Sequence, residues 1–523
     1  MNSGQKFNIR AFFPVLVLSL LLFLGISLVS GYYKSYLYED EVLSYTAANS
    51  LNGLRPKYER YTLTDAKEFV RNALTVDTEH RFDYSNVAAN TADDPHPPLY
   101  LFLLHTLSSL MPGVFSKWTA LGINIVSGIF ILVFVNYAAS KIFERRSSRY
   151  ASVLILTLSA GFMDKITFLR MYPMMTVFTM LLFCSYLKLF DQENAWEGRR
   201  QALKSGLILL VNIVVGTLTH YYFLIFAFFA AAFYSLWLLK YKKIKAFISH
   251  ILTYVSAAVI SIMLFPAMIW QISSSDPMSE SAKGALGISV LVKRIGKMFV
   301  AFNIDFFSGY FKYLLLAFLI LLIYILLYEK QRISLKISVK IIFTAVITVF
   351  YFALVSMTTP YVSSRYLTAI YPLVVILLVY FAEPLLNSIF KNFSFGMALF
   401  IALCALPLYM EFSSGLKDTN KAEMQRISKE YSKDYCITWS GMTLEENYFE
   451  LENYAGLFKI KLNDEDAPES IDSRVADAKE LVVYVPEGKD PQVYLDYLKR
   501  YVKGIDGYTL LYKAYYADAY LMN

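Results

Sequence analysis

Three consecutive carboxylates lie in the segment YLYEDEVLSY, residues 37 to 46, just after the apolar run 11 to 30. A carboxylate at a lipid–water boundary can act as a general base, and Glu39, Asp40 and Glu41 all have the side chain for this role. Consecutive helix residues point about 100° apart, so at most one or two of them can face a single pocket. The alternative is a solvated acidic helix start, because carboxylates favour the positive N-terminal end of a helix.

A second acidic group lies in TADDPHPPLY, residues 91 to 100, where Asp93, Asp94 and His96 precede two prolines. Two acidic groups in one structured loop suit a base and a partner that orients the substrate. A polar loop that ends in a proline-capped helix is the alternative. His96 has the donor atom of a metal ligand, but no His or Cys spacing supports a metal site, so we expect neither a metal nor another cofactor.

Cationic and aromatic residues recur where apolar runs begin or end. They are Arg170 and Tyr172 in TFLRMYPMM, Arg365 and Tyr366 in TPYVSSRYL, and His220, Tyr221 and Tyr222 in THYYF. An anionic lipid phosphate needs such cations, because the arginine fork binds phosphate through two parallel hydrogen bonds. The alternative is a set of interfacial anchors, since arginine and tyrosine are common where helices leave a membrane.

The composition indicates the environment in which these groups act. Of 523 residues, 56% are hydrophobic and 17% are charged, and the mean hydropathy is +0.44. These values lie far outside the soluble average and predict a polytopic membrane protein. Cys184 and Cys404 lie in apolar runs and only Cys436 lies in a polar region, so no disulfide is expected. The net charge of +7 is modest, and no nucleic-acid partner is expected.

About eleven apolar runs are long enough, or nearly long enough, to cross roughly 30 Å of hydrocarbon. They lie at 11–30, 118–138, 150–163, 171–190, 205–219, 220–239, 249–269, 310–328, 338–356, 367–387 and 394–410. The first run follows Lys6 and Arg10 and lacks a small-residue cleavage site. This pattern predicts an uncleaved signal anchor with the N-terminus inside.

The segment PPLYLFLLHTLSSLMPG, residues 97 to 113, is not counted as a span because it is too short between its prolines. If it does not cross, four basic loops fall on the cytoplasmic side with the N-terminus, in agreement with the positive-inside rule. These loops carry Lys141, Arg145, Arg146 and Arg149; Arg199, Arg200 and Lys204; Lys240, Lys242, Lys243 and Lys245; and Lys330, Arg332, Lys336 and Lys340. We therefore predict an interfacial or re-entrant helix at 98–111.

Two long segments are then predicted outside the membrane, the first outer loop 31–117 and the C-terminal residues 411–523. In the loop, TDAKEFVRNAL predicts a helix on the membrane surface, with Asp65 as its N-cap and Glu68 as the capping partner. The C-terminal segment contains the strand-like runs YCITWS, LVVYVPE and YTLLYKAYY and the helical run PQVYLDYLKRYV. The predicted organisation is a transmembrane domain, 1–410, followed by a small extracytoplasmic α/β domain, 411–523.

Five motifs in chain order make the membrane part, roughly residues 1 to 410, resemble a known family. They are EDEVLSY after the first span, HPPLYLFLLH, RMY at a span start, the THYYFL turn and a late SRYL. The chain resembles the C-type (GT-C) glycosyltransferases that use polyprenyl-phosphate sugars, in particular bacterial members of glycosyltransferase family 39. Relatives of these proteins include the protein O-mannosyltransferases and the lipid A aminoarabinose transferase. The resemblance implies an α-helical polytopic GT-C fold with its active site on the outer face of the plasma or inner membrane.

The resemblance also implies roles for individual residues. Asp40 matches the family's first-loop catalytic aspartate, and Glu41 would be its orienting neighbour. Arg170 and Arg365 would hold the lipid phosphate. The implied reaction is an inverting transfer of a hexosyl or pentosyl group from a polyprenyl-phosphate sugar to a lipid, glycan or protein acceptor. The other candidate substrate-binding residues are Asp94, His96, Tyr172, His220, Tyr221 and Tyr366.

Two other classes of protein fit part of the pattern. A lipid or ion transporter places ionisable residues near the bilayer midplane, whereas Asp164, Lys165 and Glu383 lie at the ends of these runs. A polysaccharide polymerase or ligase also joins lipid-linked sugars outside the membrane, and transfer of oligosaccharides rather than single sugars would identify it. No glycine-rich phosphate loop of a nucleotide-sugar enzyme is present in the sequence, which agrees with a lipid donor.

Overall fold

The computed structural model describes residues 9–34, 36–192, 195–196, 198–274, 288–324, 337–415 and 419–523. The chain forms two compact units. The membrane unit comprises Met1–Tyr33, Pro95–Tyr100 and Ala120–Leu416. The loop–tail unit comprises Lys34–Asp94, Leu101–Thr119 and Lys417–Asn523. The first outer loop thus belongs to the same unit as the C-terminal residues, and the predicted division into domains 1–410 and 411–523 stays a prediction.

Helices make up most of the described residues. In chain order they are α1 (Ile9–Tyr33), α2 (Glu39–Asn49), α3 (Ala66–Leu74), α4 (Tyr84–Ala92), α5 (Leu99–Ser109), α6 (Lys117–Ile142), α7 (Arg146–Thr157), α8 (Ala160–Thr167), α9 (Tyr172–Asp191), α10 (Arg199–Thr219), α11 (Tyr222–Lys240), α12 (Ile244–Leu264), α13 (Ala267–Ser274), α14 (Ile288–Phe307), α15 (Phe311–Tyr324), α16 (Val339–Thr358), α17 (Tyr371–Ile389), α18 (Phe393–Gly415), α19 (Thr419–Glu430), α20 (Tyr448–Leu451), α21 (Ser473–Ala476) and α22 (Pro491–Leu498), with 3-10 helices over Ser364–Ile370 and Glu445–Asn447.

Eight helical segments in the described part of the chain are long and apolar enough to cross a membrane. They are α1, α6, α9, α10, α11, α12, α16, and α17 together with the 3-10 helix that leads into it. An α-helix satisfies its backbone polar groups within its own segment, which a hydrocarbon environment requires. The predicted class, an α-helical polytopic membrane protein with a small C-terminal α/β region, is confirmed.

Three of the predicted runs lie outside these eight segments. The run 150–163 is divided between α7 and α8. The run 310–328 begins in α15 and extends beyond the described residues. The run 394–410 lies in α18, which has 23 residues and contains Pro407.

A break divides the predicted run 150–163 between α7 and α8, and a crossing by the two helices together stays a prediction. Ser159 caps α8, because its hydroxyl accepts a hydrogen bond from the Phe162 N–H at 3.3 Å. A Cβ at Gly161 would overlap the backbone of Asp305 in α14, so glycine is needed for this close approach. A serine cap followed by a glycine contact therefore starts a new helix inside an apolar run, which hydropathy alone does not register.

One six-stranded sheet lies in the described residues of the loop–tail unit. Its strands are β1 (Leu63–Thr64), β2 (Tyr435–Trp439), β3 (Gly456–Ile460), β4 (Leu481–Pro486), β5 (Tyr508–Ala514) and β6 (Ala517–Met522), in the order β1-β3-β2-β4-β6-β5. β2 is parallel to both β3 and β4, and the other pairs are antiparallel. Ile437, Phe458 and Val483 of the parallel strands are fully buried together with Leu498 of α22. Parallel strands buried on both faces read as continuous apolar runs.

The predicted strands YCITWS, LVVYVPE and YTLLYKAYY are observed as β2, β4 and β5, and the predicted helix as α22. Sequence reasoning missed β1, β3 and β6. β1 comes from the first outer loop and pairs with β3, with Leu63 opposite Phe458. A two-residue strand whose partner lies hundreds of residues away has no local periodicity that could reveal it.

The predicted helix TDAKEFVRNAL is observed as α3, and the Asp65 side chain accepts from the Glu68 N–H at 2.7 Å. Its expected position on the membrane surface is not supported, because protein covers its apolar side. The Phe69 ring lies 4.9 Å from the Tyr58 ring and 5.7 Å from the Tyr448 ring, both in the loop–tail unit.

The short helix predicted at 98–111 is observed as α5, with 11 residues. At 1.5 Å per residue its length is roughly 16 Å, far less than the hydrocarbon core. Its interfacial position stays a prediction.

Candidate functional site

Arg170 lies in the turn between α8 and α9 and is only 3% exposed. Asn124 of α6 holds this turn, because its amide nitrogen donates to the carbonyl oxygens of Ile166 and Phe168 at 3.1 and 2.7 Å. Pro173 follows in the first turn of α9, where its missing N–H removes no helical hydrogen bond. Arg170 is therefore placed by a turn that a neighbouring helix fixes.

Two histidines lie beside Arg170. Arg170 Nη2 is 3.4 Å from His96 Nε2, and the rings of His96 and His220 are 5.5 Å apart, edge to face. His96 comes from the PHPP segment before α5, and His220 follows the last residue of α10. Residues from three separate parts of the sequence thus meet in the membrane unit.

His220 is a neutral N–H donor between the spans α10 and α11. It is 4% exposed, and its Nδ1 accepts from the Tyr222 N–H at 3.1 Å, which assigns the ring proton to Nε2. Burial lowers the pKa of His220 well below its ordinary value, and the positive charges of Arg170 and Arg365 lower it further. No group in the described residues accepts from His220 Nε2. A buried donor beside two guanidinium groups suits an anionic ligand.

Arg365 lies in the 3-10 helix before α17, against aromatic rings. Its guanidinium carbon is 5.1 Å from the Tyr366 ring centre and 5.9 Å from that of Phe168. The Tyr366 ring in turn lies 6.0 Å from Tyr172 and 5.3 Å from Tyr222. We call this set the arginine–histidine cluster; its members are His96, Arg170, Tyr172, His220, Tyr222, Arg365 and Tyr366.

Charged side chains also hold the segment that carries Arg365. The Ser364 hydroxyl donates to the Asp305 carboxylate of α14. Lys165 of α8 lies 3.7 Å from the same carboxylate and 2.6 Å from Asp164. These contacts link the 3-10 helix to α8 and α14, so Arg365 has a defined position.

The predicted acidic triplet lies at the start of α2 in the loop–tail unit, and Glu41 has a structural role there. Its side chain is fully buried, and its carboxylate accepts from the Tyr38 N–H at 2.8 Å. Lys34 Nζ lies 3.0 Å from Glu41 Oε1. Glu41 therefore caps α2 and neutralises a lysine.

Glu39 contacts the C-terminal part of the same unit. Arg55 Nη2 is 2.6 Å from Glu39 Oε1, and Arg55 Nη1 is 2.7 Å from Glu445 Oε1. The Glu39 N–H donates to Glu446 Oε1 at 2.9 Å, although the two residues are 407 positions apart in the chain. We call Glu39, Asp40, Glu41, Glu445 and Glu446 the acidic cluster.

Asp40 is half-buried in the first turn of α2. Burial raises the pKa of Glu446, and the negative charges of Glu39 and Asp40 also raise it. Asp40 is therefore close enough to Glu446 for their charges to interact.

Lys421 and Glu450 form a buried pair in the same unit. Lys421 is 1% exposed and Glu450 is fully buried, with Nζ and Oε2 3.5 Å apart. Burial raises the pKa of Glu450 to about 7, although the lysine charge opposes the shift. Glu450 thus changes charge near neutral pH.

Most of the predicted substrate-binding residues meet in one cluster. Those that do are His96, Arg170, Tyr172, His220, Arg365 and Tyr366. Tyr221 directs its hydroxyl to Gln271 Oε1, and its neighbour Tyr222 supplies the ring that lies 5.1 Å from His220. The sequence does not show which of Tyr221 and Tyr222 lies beside His220, because the directions of their side chains depend on where α10 ends. Asp94, 6% exposed, belongs to the loop–tail unit.

Several residues in or beside these clusters were not singled out from the sequence. They are Lys34, Arg55, Asn124, Phe168, Glu445, Glu446 and Glu450. Across the described residues, no three His, Cys, Asp or Glu side chains group in a way that could hold a metal ion. The expectation of a reaction without metal or cofactor stays a prediction.

No protein-family model and no curated protein matches the chain. Among solved structures, it is similar to ArnT from Cupriavidus metallidurans bound to undecaprenyl phosphate, with a TM-score of 0.49 and 12% identity over 96% of this chain and 97% of that chain. It is also similar to the Archaeoglobus fulgidus oligosaccharyltransferase in complex with Zn and sulfate, with a TM-score of 0.45 and 13% identity over 97% of this chain and 72% of that chain.

Proposed function

We propose that this chain is an inverting membrane glycosyltransferase. It transfers a hexosyl or pentosyl group from a polyprenyl-phosphate donor to a lipid, glycan or protein acceptor on the extracytoplasmic face. The observation that carries this proposal is the arginine–histidine cluster, in which a neutral His220 Nε2–H and two arginines adjoin tyrosine rings. The five sequence motifs that resemble C-type glycosyltransferases support the same reaction.

The cluster suits a lipid phosphate as a leaving group. A polyprenyl-phosphate sugar is a phosphodiester with one negative charge, and its departing polyprenyl phosphate gains negative charge as the bond to the sugar breaks. Arg170 and Arg365 stabilise that developing charge, so they stabilise the transition state more than the bound substrate. This difference lowers the barrier to transfer. The His220 Nε2–H donates to a phosphate oxygen, and the surrounding rings exclude water and so strengthen these interactions.

Asp40 is the proposed general base. Its carboxylate takes the proton of the acceptor hydroxyl or amine as the acceptor atom bonds to the anomeric carbon. The bond between that carbon and the phosphate oxygen breaks, and the electron pair leaves with the phosphate. One displacement on the anomeric carbon inverts its configuration. Glu41 supports this role by capping the helix that carries Asp40.

The binding of undecaprenyl phosphate to the full chain in lipid nanodiscs tests the phosphate site. We expect wild-type protein to prefer undecaprenyl phosphate over uncharged undecaprenol. Arg170→Ala and His220→Ala should each reduce this preference, because the loss of one partner of a desolvated charge costs about 2–5 kcal/mol. That cost corresponds to a factor of about thirty or more in Kd.

Arg146→Ala is the matched control, because it removes an exposed arginine at the start of α7 and outside the cluster. It should leave the Kd for undecaprenyl phosphate unchanged. If Arg170→Ala and His220→Ala both keep the wild-type preference for the phosphate, the cluster is not its binding site.

The size of the transferred unit distinguishes this function from that of a polysaccharide polymerase or ligase. Mass spectrometry of glycans and lipid-linked sugars in a deletion strain should show loss of a single-sugar modification. The accumulation of a lipid-linked oligosaccharide that has not been transferred to its acceptor would instead identify a polymerase or ligase.

A further inference from the structure

The loop–tail unit contains a cavity of about 360 Å³ at the end of its sheet where the parallel strands finish. Trp439, Lys461 and Pro486 line it at the carboxyl ends of β2, β3 and β4. Tyr494 of α22 and Tyr516 of the turn between β5 and β6 complete the wall. This volume falls within the roughly 300–1,000 Å³ of small-molecule sites.

The cavity lies where the order of the parallel strands reverses. β2 is parallel to β3 on one side and to β4 on the other. The chain therefore leaves β2 towards one edge of the sheet and later crosses to the other side. In α/β sheets, ligands bind in the crevice that such a reversal opens at the carboxyl ends of the strands.

A buried donor without an acceptor lines this crevice. Trp439 is 3% exposed, and its indole N–H has no acceptor among the described residues. Its ring lies 4.7 Å from that of Tyr494, edge to face, which fixes its orientation. A buried N–H that lacks a partner costs free energy, and a ligand oxygen in the cavity would remove that cost.

The charges around the cavity disfavour an anionic ligand. At a strand-order reversal, phosphate groups bind to the N-terminus of the helix after the strand. Here Glu445 and Glu446 begin the helical segment after β2, and the Glu445 carboxylate accepts from the Leu444 N–H at 3.0 Å. The charge of Lys461 is paired with Asp464 at 3.2 Å.

The remaining chemistry of the wall matches that of an uncharged sugar. Ser440 and Thr443 add hydroxyl groups beside the aromatic rings. A sugar offers hydroxyls that both donate and accept, and C–H faces that pack on Trp and Tyr rings. We propose that this cavity binds an uncharged saccharide. This inference does not depend on the proposed transfer reaction, since it uses none of the residues assigned to it.

Tyr516 can be replaced by a residue that should not destabilise the fold. Its φ of +56° lies in the left-handed region that favours glycine, and its side chain is 54% exposed. Tyr516→Gly therefore relieves the backbone while it removes a ring from the wall of the cavity. Phe82→Gly is a matched control, because Phe82 has a φ of +61°, is 41% exposed and does not line the cavity.

Saturation-transfer NMR on the full chain in deuterated detergent measures saccharide binding. The probes are the methyl glycosides of glucose, galactose, mannose and N-acetylglucosamine, with glucuronic acid as an anionic comparison. We expect at least one neutral glycoside to bind wild-type protein and the Phe82→Gly control equally. Tyr516→Gly should weaken that binding by about tenfold or more, and Trp439→Phe should weaken it through loss of the indole N–H.

Two results would overturn the proposal. One is that none of the neutral glycosides binds the wild-type protein, and the other is that binding survives unchanged in both Tyr516→Gly and Trp439→Phe. The binding of undecaprenyl phosphate is measured on the same samples. If Tyr516→Gly or Trp439→Phe loses saccharide binding but binds undecaprenyl phosphate normally, the two sites are separate. One proposal can therefore fail without the other.

Discussion

At the scale of single residues, three adjacent carboxylates have different environments. Glu41 is buried against Lys34 and caps α2, and Glu39 pairs with Arg55. Asp40, between them, points in a third direction because successive helix residues are rotated by about 100°. We assign proton transfer to Asp40 because it is the member of the triplet that matches the first-loop aspartate of the resembled family.

Asp40→Asn keeps the size of the side chain but cannot take up a proton. Transfer should therefore fall by about two to four orders of magnitude, the usual contribution of general-base catalysis. Mass spectrometry of glycans in a deletion strain that expresses the variant measures this loss. Protein yield and Tm should stay near wild type, because a helix-start carboxylate contributes only about 0.3–1 kcal/mol through the helix dipole.

Glu39→Gln and Glu41→Gln are the comparison variants for Asp40→Asn. Glu39→Gln should leave transfer nearly normal. Glu41→Gln should lower Tm, because it breaks an ion pair whose carboxylate is fully buried, and the loss of such a pair costs about 3–5 kcal/mol. Near-normal transfer by Asp40→Asn, or an inactive but stable Glu39→Gln protein, would show that the base is another residue.

Glu450 should make stability depend on pH. Its pKa is raised from an ordinary 4.5 to about 7 in the folded protein, so the folded state binds the proton more tightly than the unfolded state. Between pH 4.5 and 7 the free energy of unfolding should fall as pH rises, by up to about 3 kcal/mol. Glu450→Gln mimics the protonated form, so its Tm should decline less than that of wild type over this interval. Parallel Tm curves for the two proteins would contradict the shifted pKa.

At the scale of elements, helix ends place the arginine–histidine cluster. Arg170 lies between α8 and α9, His220 between α10 and α11, and Arg365 before α17. Backbone groups near helix ends lack helical partners, so side chains such as Asn124 are needed to satisfy them. The cluster therefore depends on residues that do not belong to it.

Asn124→Ala tests this dependence. It removes two hydrogen bonds to buried carbonyl groups, which should destabilise the protein by about 1–3 kcal/mol. Because the turn that carries Arg170 is then less well held, the affinity for undecaprenyl phosphate should also fall. Ser127→Ala, one turn further along α6, removes a hydroxyl that donates to the Ile123 carbonyl of the same helix and serves as the control. Wild-type affinity in folded Asn124→Ala protein would show that the turn holds its position without the amide.

At the scale of the whole molecule, the positive-inside bias predicts which segments share a side of the membrane. The basic loop at 141–149 is expected in the cytoplasm and the C-terminal residues outside. Cys184, Cys404 and Cys436, the three native cysteines, are all buried, so single introduced cysteines can report on this arrangement.

Arg146→Cys and Lys489→Cys replace exposed residues of the basic loop and the C-terminal segment. A membrane-impermeant maleimide added to intact cells should label Lys489→Cys but label Arg146→Cys only after the membrane is opened. Labelling of Arg146→Cys but not Lys489→Cys in intact cells would show that 98–111 crosses the membrane. Labelling of both positions from the same side would show that a span between them was miscounted.

The sequence by itself determined the helical membrane class, most of the spans and the residue types of the arginine–histidine cluster. Hydropathy is a reliable guide there, because hydrocarbon forces each spanning segment to satisfy its backbone within itself. Hydropathy did not reveal the helix break within 150–163, where a serine cap and Gly161 start a new helix inside an apolar run.

Only the tertiary structure decided which members of each motif act together. Glu39 and Glu446 are 407 residues apart, and β1 of the first loop pairs with β3 near the C-terminus. Such contacts leave no periodic trace in either segment, because hydrogen bonds and ion pairs depend on distance in space and not along the chain. The position of the Tyr222 ring beside His220 and the cavity at the ends of three parallel strands depend on the same long-range packing.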